Sequence, residues 1–460
     1  MFSKLKTHLT VLQQEGYQAV RFLNWLLRHP FESKISTKKP LAWTAKAKNI
    51  TRIAVTTWIT ALAGLFFYKN VSLLVIVLLA LWQPGLFLVI AIFVLKPYEI
   101  WNRSRVVSNA NRFFTTRADL KIIGITGSYG KTSVKDFLFE ILNEDGIVVK
   151  TPESFNTVFG IKKVVDFEIT SKTKRFLCEM GAYTRGEIAE LCKMVPPEYA
   201  ILTAIGTQHL ERFGNLENTT LAKFELVDSV DTRKALVNID NELIASRITQ
   251  QKYKDIKTYS INSTNADFYI KSKKLVGGIT TFVLCNKDSK YEFETNLFGS
   301  SNLSNLVGAI GMALMLKVPY KQIRERVSSI LPSPHRLELK RIGSCTLIDD
   351  AFSSNEQGFT NIVSDLKKLP GKKAIITPGI VELGNKTVEV HKKLGLQMSD
   401  VFEKIYLVGK SERTSAIVEG LGPKKTYKII ENDANLWKII EELASDNDWI
   451  LIENDLTDIY

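Results

Sequence analysis

The chain has 460 residues, more than one hydrophobic core usually serves, so two or three domains are expected. Its formal charge of +13 suggests a nucleic-acid binder until it is divided along the chain: residues 1–121 hold 17 Lys/Arg against 4 Asp/Glu, and the remainder 44 against 44. A basic excess confined to one quarter excludes a nucleic-acid groove and fits a segment beside anionic lipid headgroups. The four cysteines, Cys178, Cys192, Cys285 and Cys345, form no C-x-x-C pair, which argues against a zinc ribbon or a disulfide framework.

In chain order, residues 1–52 form a basic, partly amphipathic cytoplasmic segment. Within it Tyr17–Phe31 reads as an interfacial helix, with Phe22, Trp25 and Leu26 beside Arg21 and Arg28. Residues 53–95 carry one charge, Lys69, which implies membrane. Two transmembrane helices are expected, Ile53–Tyr68 and Val71–Leu95, with a turn at Lys69-Asn70 and a kink at Pro84. Basic residues on both flanks put both ends on the cytoplasmic leaflet. Residues 96–120 read as a basic linker without a period. From 121 the pattern alternates between strands (Lys121–Thr126, Arg175–Met180, Tyr199–Ile205, Lys234–Asn238) and helices (Ser133–Asn143, Arg185–Val195, Leu221–Val230), a βαβ series that implies a mainly parallel sheet. Residues 265–298 interrupt it with an antiparallel excursion. After Leu331-Pro332-Ser333-Pro334 a second series begins (Cys345–Asp350, Lys373–Pro378, Lys404–Val408, Tyr427–Ile430, Trp449–Glu453). The fold class is therefore α/β: a phosphate-loop domain over 121–332, a C-terminal Rossmann-like domain over 333–460 and an N-terminal transmembrane helical hairpin.

The strongest chemical signal is Gly124-Ile125-Thr126-Gly127-Ser128-Tyr129-Gly130-Lys131-Thr132-Ser133, between a strand and a helix. Gly127 and Gly130 let backbone N–H groups of the Ser128–Ser133 turn face phosphate oxygens. Lys131 would reach the β/γ-phosphates, and Thr132 offers a hydroxyl to Mg²⁺. Glu179, in Cys178-Glu179-Met180-Gly181-Ala182, ends a strand opposite this loop, where a nucleotide metal needs an oxygen ligand. His209, in Gly206-Thr207-Gln208-His209, follows the next strand, with Ala222-Lys223 fourteen residues on.

In form, order and spacing these blocks resemble those of the Mur ligase family, most closely its MurF type. The likeness extends over Thr151–Gly160, Arg185–Ile188, Gly299-Ser300-Ser301-Asn302-Leu303-Ser304-Asn305, Arg336, Leu347-Ile348-Asp349-Asp350 and Val381–Gly384. It implies ATP and two Mg²⁺ ions, with Lys131, His209 and Lys223 catalytic, Lys223 carbamylated, and Thr132, Glu179, His209 and Lys223 around the metals. Asn302 and Asn305 would recognise the nucleoside, Arg336 phosphate, and Asp349 and Asp350 the nucleotide on domain closure. The implied reaction activates a carboxylate of a UDP- or lipid-linked cell-wall precursor as an acyl phosphate, which the amine of an amino acid or dipeptide then attacks. A polyglutamate or lipid-linked peptide acceptor is the alternative within the family, and a non-catalytic ATP-binding scaffold the alternative outside it. Thr157 replaces the family's second Asn and Ser301 its His. A membrane segment stands where relatives carry a UDP-sugar domain, and Glu453-Asn454-Asp455 replaces a basic run. The last two departures, the membrane segment and the acidic C-terminal run, bear on the substrate.

Overall fold

The computed structural model describes residues 2–29, 41–68, 74, 84–143, 147–152, 155–208, 210–276, 279–287, 289–352, 355–381, 383–431 and 435–454. It divides into two compact units, Met1–Arg105 and Val106–Tyr460.

The first unit is helical. Helices Phe2–Gln14, Ala19–Arg28 and Ala45–Tyr68, with the start of Gly85–Thr115, enclose a small core of Leu5, Leu9, Leu12, Phe22, Leu26, Ile50, Phe87 and Leu88. The helix expected over Tyr17–Phe31 is shorter, Ala19–Arg28, and two-faced: Phe22 and Leu26 point inward, while Val20 and Leu27 are about 70 % exposed. The expected first span belongs to a 24-residue helix that starts eight residues earlier, at Ala45. The turn at Lys69-Asn70 lies outside the described residues. Pro84 directly precedes the Gly85–Thr115 helix, which contains Pro97; apart from Leu74, the part of the expected second span before Pro84 lies outside the described residues. Gly85–Thr115 is the one described helix long and apolar enough to cross a membrane. It also overturns the aperiodic linker expected over 96–120, because residues 96–115 are helical. Its last turns bury Val106, Val107, Ala110 and Phe114 in a core of the second unit, where Phe114 stacks on Phe176 at 6.1 Å. The exposed Tyr98, Ile100 and Trp101 that precede those positions hide the period when the sequence is read linearly.

The second unit holds two sheets. β1 (Lys121–Thr126), β2 (Val148–Lys150), β3 (Arg175–Glu179), β4 (Tyr199–Leu202), β5 (Ala235–Asn238), β6 (Lys257–Ser260), β7 (Phe268–Val276), β8 (Ile279–Asn286) and β9 (Ser289–Thr295) form a nine-stranded sheet in the order β2-β3-β1-β4-β5-β6-β7-β8-β9. β1 to β7 pair in parallel, and β7-β8-β9 is the expected antiparallel excursion. β1 is buried along its length after Lys121, since helices cover both faces of a parallel sheet. The chain goes to opposite sides of β1 before and after β3, which leaves a crevice at the carboxyl ends of β1, β3 and β4.

β10 (Glu338–Ile342), β11 (Cys345–Asp350), β12 (Lys373–Thr377), β13 (Lys404–Val408), β14 (Lys428–Ile430) and β15 (Trp449–Glu453) form the second sheet, in the order β10-β11-β15-β12-β13-β14. Only β10 runs antiparallel, and its five residues, three of them charged, are too short and too polar to mark a strand in the sequence. All four cysteines are buried and none forms a disulfide.

The two sheets meet at a polar seam. Asp365, on helix Glu356–Lys367, accepts from the N–H and hydroxyl of Ser300, each at 2.7 Å, and so caps the Ser300–Met315 helix from the neighbouring domain. One turn earlier Asn361 donates to the Ser301 hydroxyl at 3.2 Å, and Phe298 stacks on Trp449 at 6.1 Å. Replacing Asp365 by Ala strips a helix N-terminus of its acceptor and should destabilise the unit by about 1 kcal/mol. The urea midpoint measures this, and an unchanged midpoint would show the seam to be incidental.

Candidate active site

The β1 loop needs glycine for two separate reasons. Gly127 lies against the neighbouring chain, where a Cβ would collide with Thr203 Oγ1, and Gly130 has φ +81° and would press a Cβ into the Asn305 carboxamide. The loop is tied to the β4 end: the Ser128 N–H donates to Ala204 O at 2.7 Å, and the Gly206 N–H donates to Ser128 Oγ at 3.0 Å. Ser128 therefore shapes the cradle with its side chain, and Ser133 is buried in the first turn of the helix. The Lys131–Leu142 helix aims its positive N-terminus across this turn.

Lys131 folds back on the loop, with Nζ donating to Gly127 O at 2.8 Å and Ser128 O at 3.1 Å. Burial pulls its ammonium down to about 8; Glu179 opposes that shift, while Arg336 and Lys135 add to it. A cation held among carbonyls beside two like charges is poised to move onto phosphate oxygens.

Glu179 is the centre of the site. The Thr132 hydroxyl donates to its Oε2 at 3.0 Å, the Lys135 ammonium to the same oxygen at 3.1 Å, and the Asn156 amide to Oε1 at 3.1 Å. Adjacent hydroxyl and carboxylate oxygens form the hard-donor pair that Mg²⁺ prefers, so the residues present fit the expected metal. Lys135 and Asn156 were not singled out as site residues in the sequence. The available signal was helical spacing, since Lys135 is three residues after Thr132 and four after Lys131.

Lys223 lies on helix Leu216–Val227, 3 % exposed, 5.6 Å over the Phe213 ring. It makes no hydrogen bond or ion pair to another described residue. Burial, reinforced by Lys131, pulls its amine down to about 7; Glu187, Glu225 and Glu179 oppose the shift. His209, expected beside it, lies outside the described residues.

From the second domain, the turn after the proline linker delivers Arg336. His335 and Leu337 on either side have φ +57° and +53°, a region that costs side-chain-bearing residues strain and is kept where the surroundings enforce it. The enforcing contacts are Ser333 Oγ to Asp136 Oδ2 at 2.8 Å, the Leu337 N–H to Asp350 Oδ1 at 3.2 Å, and His335 Nδ1 to Asp349 Oδ2 at 2.8 Å. Arg336 lies over the Phe352 ring at 4.5 Å, and Glu179, Asp350 and Asp136 support its charge against burial. The structure thus brings Gly127, Gly130, Lys131, Thr132, Glu179, Asn305 and Arg336 to one crevice.

Three side chains expected at the nucleotide have partners within the protein. Asn302 is buried and donates to Phe298 O at 3.1 Å, because its position on the helix turns the amide back onto the preceding turn. Asp349 is taken by Lys340 at 2.7 Å and by His335. Asp350 supports the Arg336 turn, and burial raises its carboxyl to about 7. His335, Glu338 and Asp349 lie close enough to hold a cation, but the Lys340 ammonium already bridges both carboxylates.

Comparison with known proteins agrees with this geometry. Residues 125–313 match the Mur ligase middle domain, and residues 335–453 the Mur ligase, glutamate ligase domain. The UDP-N-acetylmuramoyl-tripeptide--D-alanyl-D-alanine ligase of Buchnera aphidicola is 27 % identical over 355 residues, covering 73 % of this chain and 76 % of that protein. The same ligase of Escherichia coli is 25 % identical over 305 residues, covering 66 % and 67 %. Among solved structures, MurF from Acinetobacter baumannii aligns with a TM-score of 0.69 at 23 % identity, covering 78 % of each chain. MurF from Thermotoga maritima in complex with ADP aligns with a TM-score of 0.68 at 22 % identity, covering 78 % of this chain and 82 % of that one. With both family domains matched in order around one phosphate loop, the chain belongs to the Mur ligase family and is an ATP-dependent, ADP-forming ligase.

Proposed function

We propose that this ligase joins D-Ala-D-Ala to the peptide of a UDP- or lipid-linked cell-wall precursor, at the cytoplasmic face of a membrane. The reading rests on one observation: relatives that are UDP-N-acetylmuramoyl-tripeptide--D-alanyl-D-alanine ligases align over 305 to 355 residues, 66 to 73 % of this chain. Two Mg²⁺ ions supply charge neutralisation for the triphosphate when bound, and Thr132, Glu179 and a carbamylated Lys223 are the groups to hold them.

The chain's own residues do the rest. The Gly127–Gly130 turn receives the phosphates, and Lys131 exchanges its carbonyl partners for β/γ-oxygens. Arg336 approaches from the other domain and balances charge on the transferring group. The acceptor carboxylate takes the γ-phosphoryl and ADP leaves. The dipeptide amine then attacks the acyl phosphate, and phosphate leaves as the amide forms. The Ser300–Asp365 seam keeps the domains closed over this sequence and excludes the water that would hydrolyse the acyl phosphate.

ADP release by the full-length protein across UDP- and lipid-linked precursors, with and without D-Ala-D-Ala, tests the reading. Release that requires the dipeptide is expected; release that requires a different amine, or none, refutes the assignment of D-Ala-D-Ala.

The membrane reading is supported by the outward Val20 and Leu27, and by Phe93 and Val94 on the Gly85–Thr115 helix, followed by Tyr98 and Trp101. Arg105 lies over the Trp101 ring at 5.5 Å, an aromatic–basic pairing suited to a headgroup layer. Confinement would raise the local concentration of a lipid-linked acceptor without any new contact. A truncated protein should begin near residue 100, so as to keep Val106 to Phe114. It is expected to lose turnover of a lipid-linked acceptor at least about tenfold more than turnover of a soluble analogue. Equal losses would remove any role of the anchor in substrate choice.

A further inference from the structure

The Lys131–Leu142 helix places three functional side chains on adjoining positions. Lys131 faces the loop carbonyls, Thr132 faces Glu179, and Lys135 reaches the same Glu179 oxygen from one turn further on. The Lys135–Glu179 pair is closed off from solvent, with side chains 0 % and 1 % exposed. Asn156 holds the other carboxylate oxygen, and Thr151 Oγ1 accepts from the Glu179 N–H at 3.1 Å, so the carboxylate is fixed in position as well as charge-balanced. A carboxylate in this setting would be costly without a counter-cation.

We infer that Lys135 is a positioning residue that serves as the resident counter-cation of the metal site. It neutralises Glu179 while the crevice is empty and thereby keeps divalent cations from binding there alone, so that metal enters with the nucleotide. The inference rests on reading Glu179 as a metal ligand. Its physical basis is competition: the Lys135 ammonium donates to the oxygen that also faces Thr132, the side on which a metal would be shared by hydroxyl and carboxylate. An ammonium at that oxygen removes a ligand lone pair and adds like charge next to any incoming cation. The triphosphate reverses the balance, since its own oxygens supply the negative charge and the ligands that the site lacks. No other described lysine shares a carboxylate with a P-loop hydroxyl in this way.

The test uses the full-length protein and Mn²⁺ as the probe, with free Mn²⁺ read by electron paramagnetic resonance and stability by thermal unfolding. Without nucleotide, Lys135→Met should bind Mn²⁺ about tenfold tighter than wild type, the effect of removing one like charge at contact range. Mn²⁺ should also raise its melting temperature more than it raises that of wild type. Lys135→Arg keeps the charge and should behave like wild type. In the double variant Lys135→Met/Glu179→Gln the gain in Mn²⁺ affinity should vanish.

Unchanged or weaker Mn²⁺ binding by Lys135→Met overturns the inference, as does a gain that survives in the double variant. A Lys135→Met protein that cannot be recovered folded even with Mn²⁺ overturns it too, because the metal should then stand in for the ammonium. Glu179→Gln alone separates this from the underlying assignment. If that variant binds Mn²⁺ with ATP as wild type does, Glu179 is not a ligand, whatever Lys135 does.

Discussion

Lys131→Ala is expected to lower ADP release by about a thousandfold or more, the largest effect of any single substitution in this chain. Other cations are close, but none can replace it. Lys135 is committed to Glu179 behind the loop, and Arg336 comes from the opposite domain on a turn whose backbone is held at both flanks. Among the described cations Lys131 is the one that lies among the loop carbonyls, at 2.8 and 3.1 Å, where the β/γ-phosphates would be received. Its ammonium, lowered to about 8 by burial, is still mostly protonated at pH 7, and phosphate charge would raise it further. Lys131→Arg should rescue little, because a planar fork cannot take the place of a compact ammonium in so tight a turn. A coupled assay at saturating acceptor and amine measures the loss, and near-normal ADP release from Lys131→Ala would sink the assigned role.

Lys223→Ala should reduce turnover by about a hundredfold, with part of it returning when formate or acetate is added. A carbamate turns a cationic side chain into an anionic oxygen ligand, and small carboxylates can occupy the space left by the truncated lysine. The environment favours the modification. CO₂ adds to a neutral amine, and burial has brought this amine down to about 7, so half of it is neutral near pH 7.

The sign of the pH dependence follows. The pKa is lowered, so the neutral form dominates above about pH 7 and is lost as pH falls below it. Protein stripped of CO₂ should therefore regain activity with bicarbonate faster at pH 8 than at pH 6. Equal rates at the two pH values, or a Lys223→Ala variant indifferent to carboxylates while other variants behave as expected, would leave Lys223 an ordinary buried amine.

Much of the fold was legible in the sequence because it depends on local periodicity. β1, β11, β13 and β15 fall at their expected residues, since strands covered on both faces read as short apolar runs between turns. β2, β6 and β10 were missed; they are short, and three of the five residues of β10 are charged. The helical nature of 96–115 was missed for a different reason. Its buried apolar positions begin only at Val106, while Tyr98, Ile100 and Trp101 are exposed, so no single apolar face runs along it.

The division at the active site follows the same rule. The sequence alone determined the phosphate loop: glycines between a strand and a helix followed by Lys131-Thr132 can form little else, because turn geometry, the helix dipole and side-chain reach are all set within ten residues. Tertiary structure decided who meets Glu179. Thr132, Lys135 and Asn156 converge on it because β1 and β3 are neighbours in the sheet, a pairing between segments more than forty residues apart. Tertiary structure also paired Asn302 with Phe298 O and Asp349 with Lys340, and set Asp365 over Ser300. A side chain's partner depends on which surface its element presents once packed, and that choice is made by the cores on both faces of the sheets rather than by any run of residues in the chain.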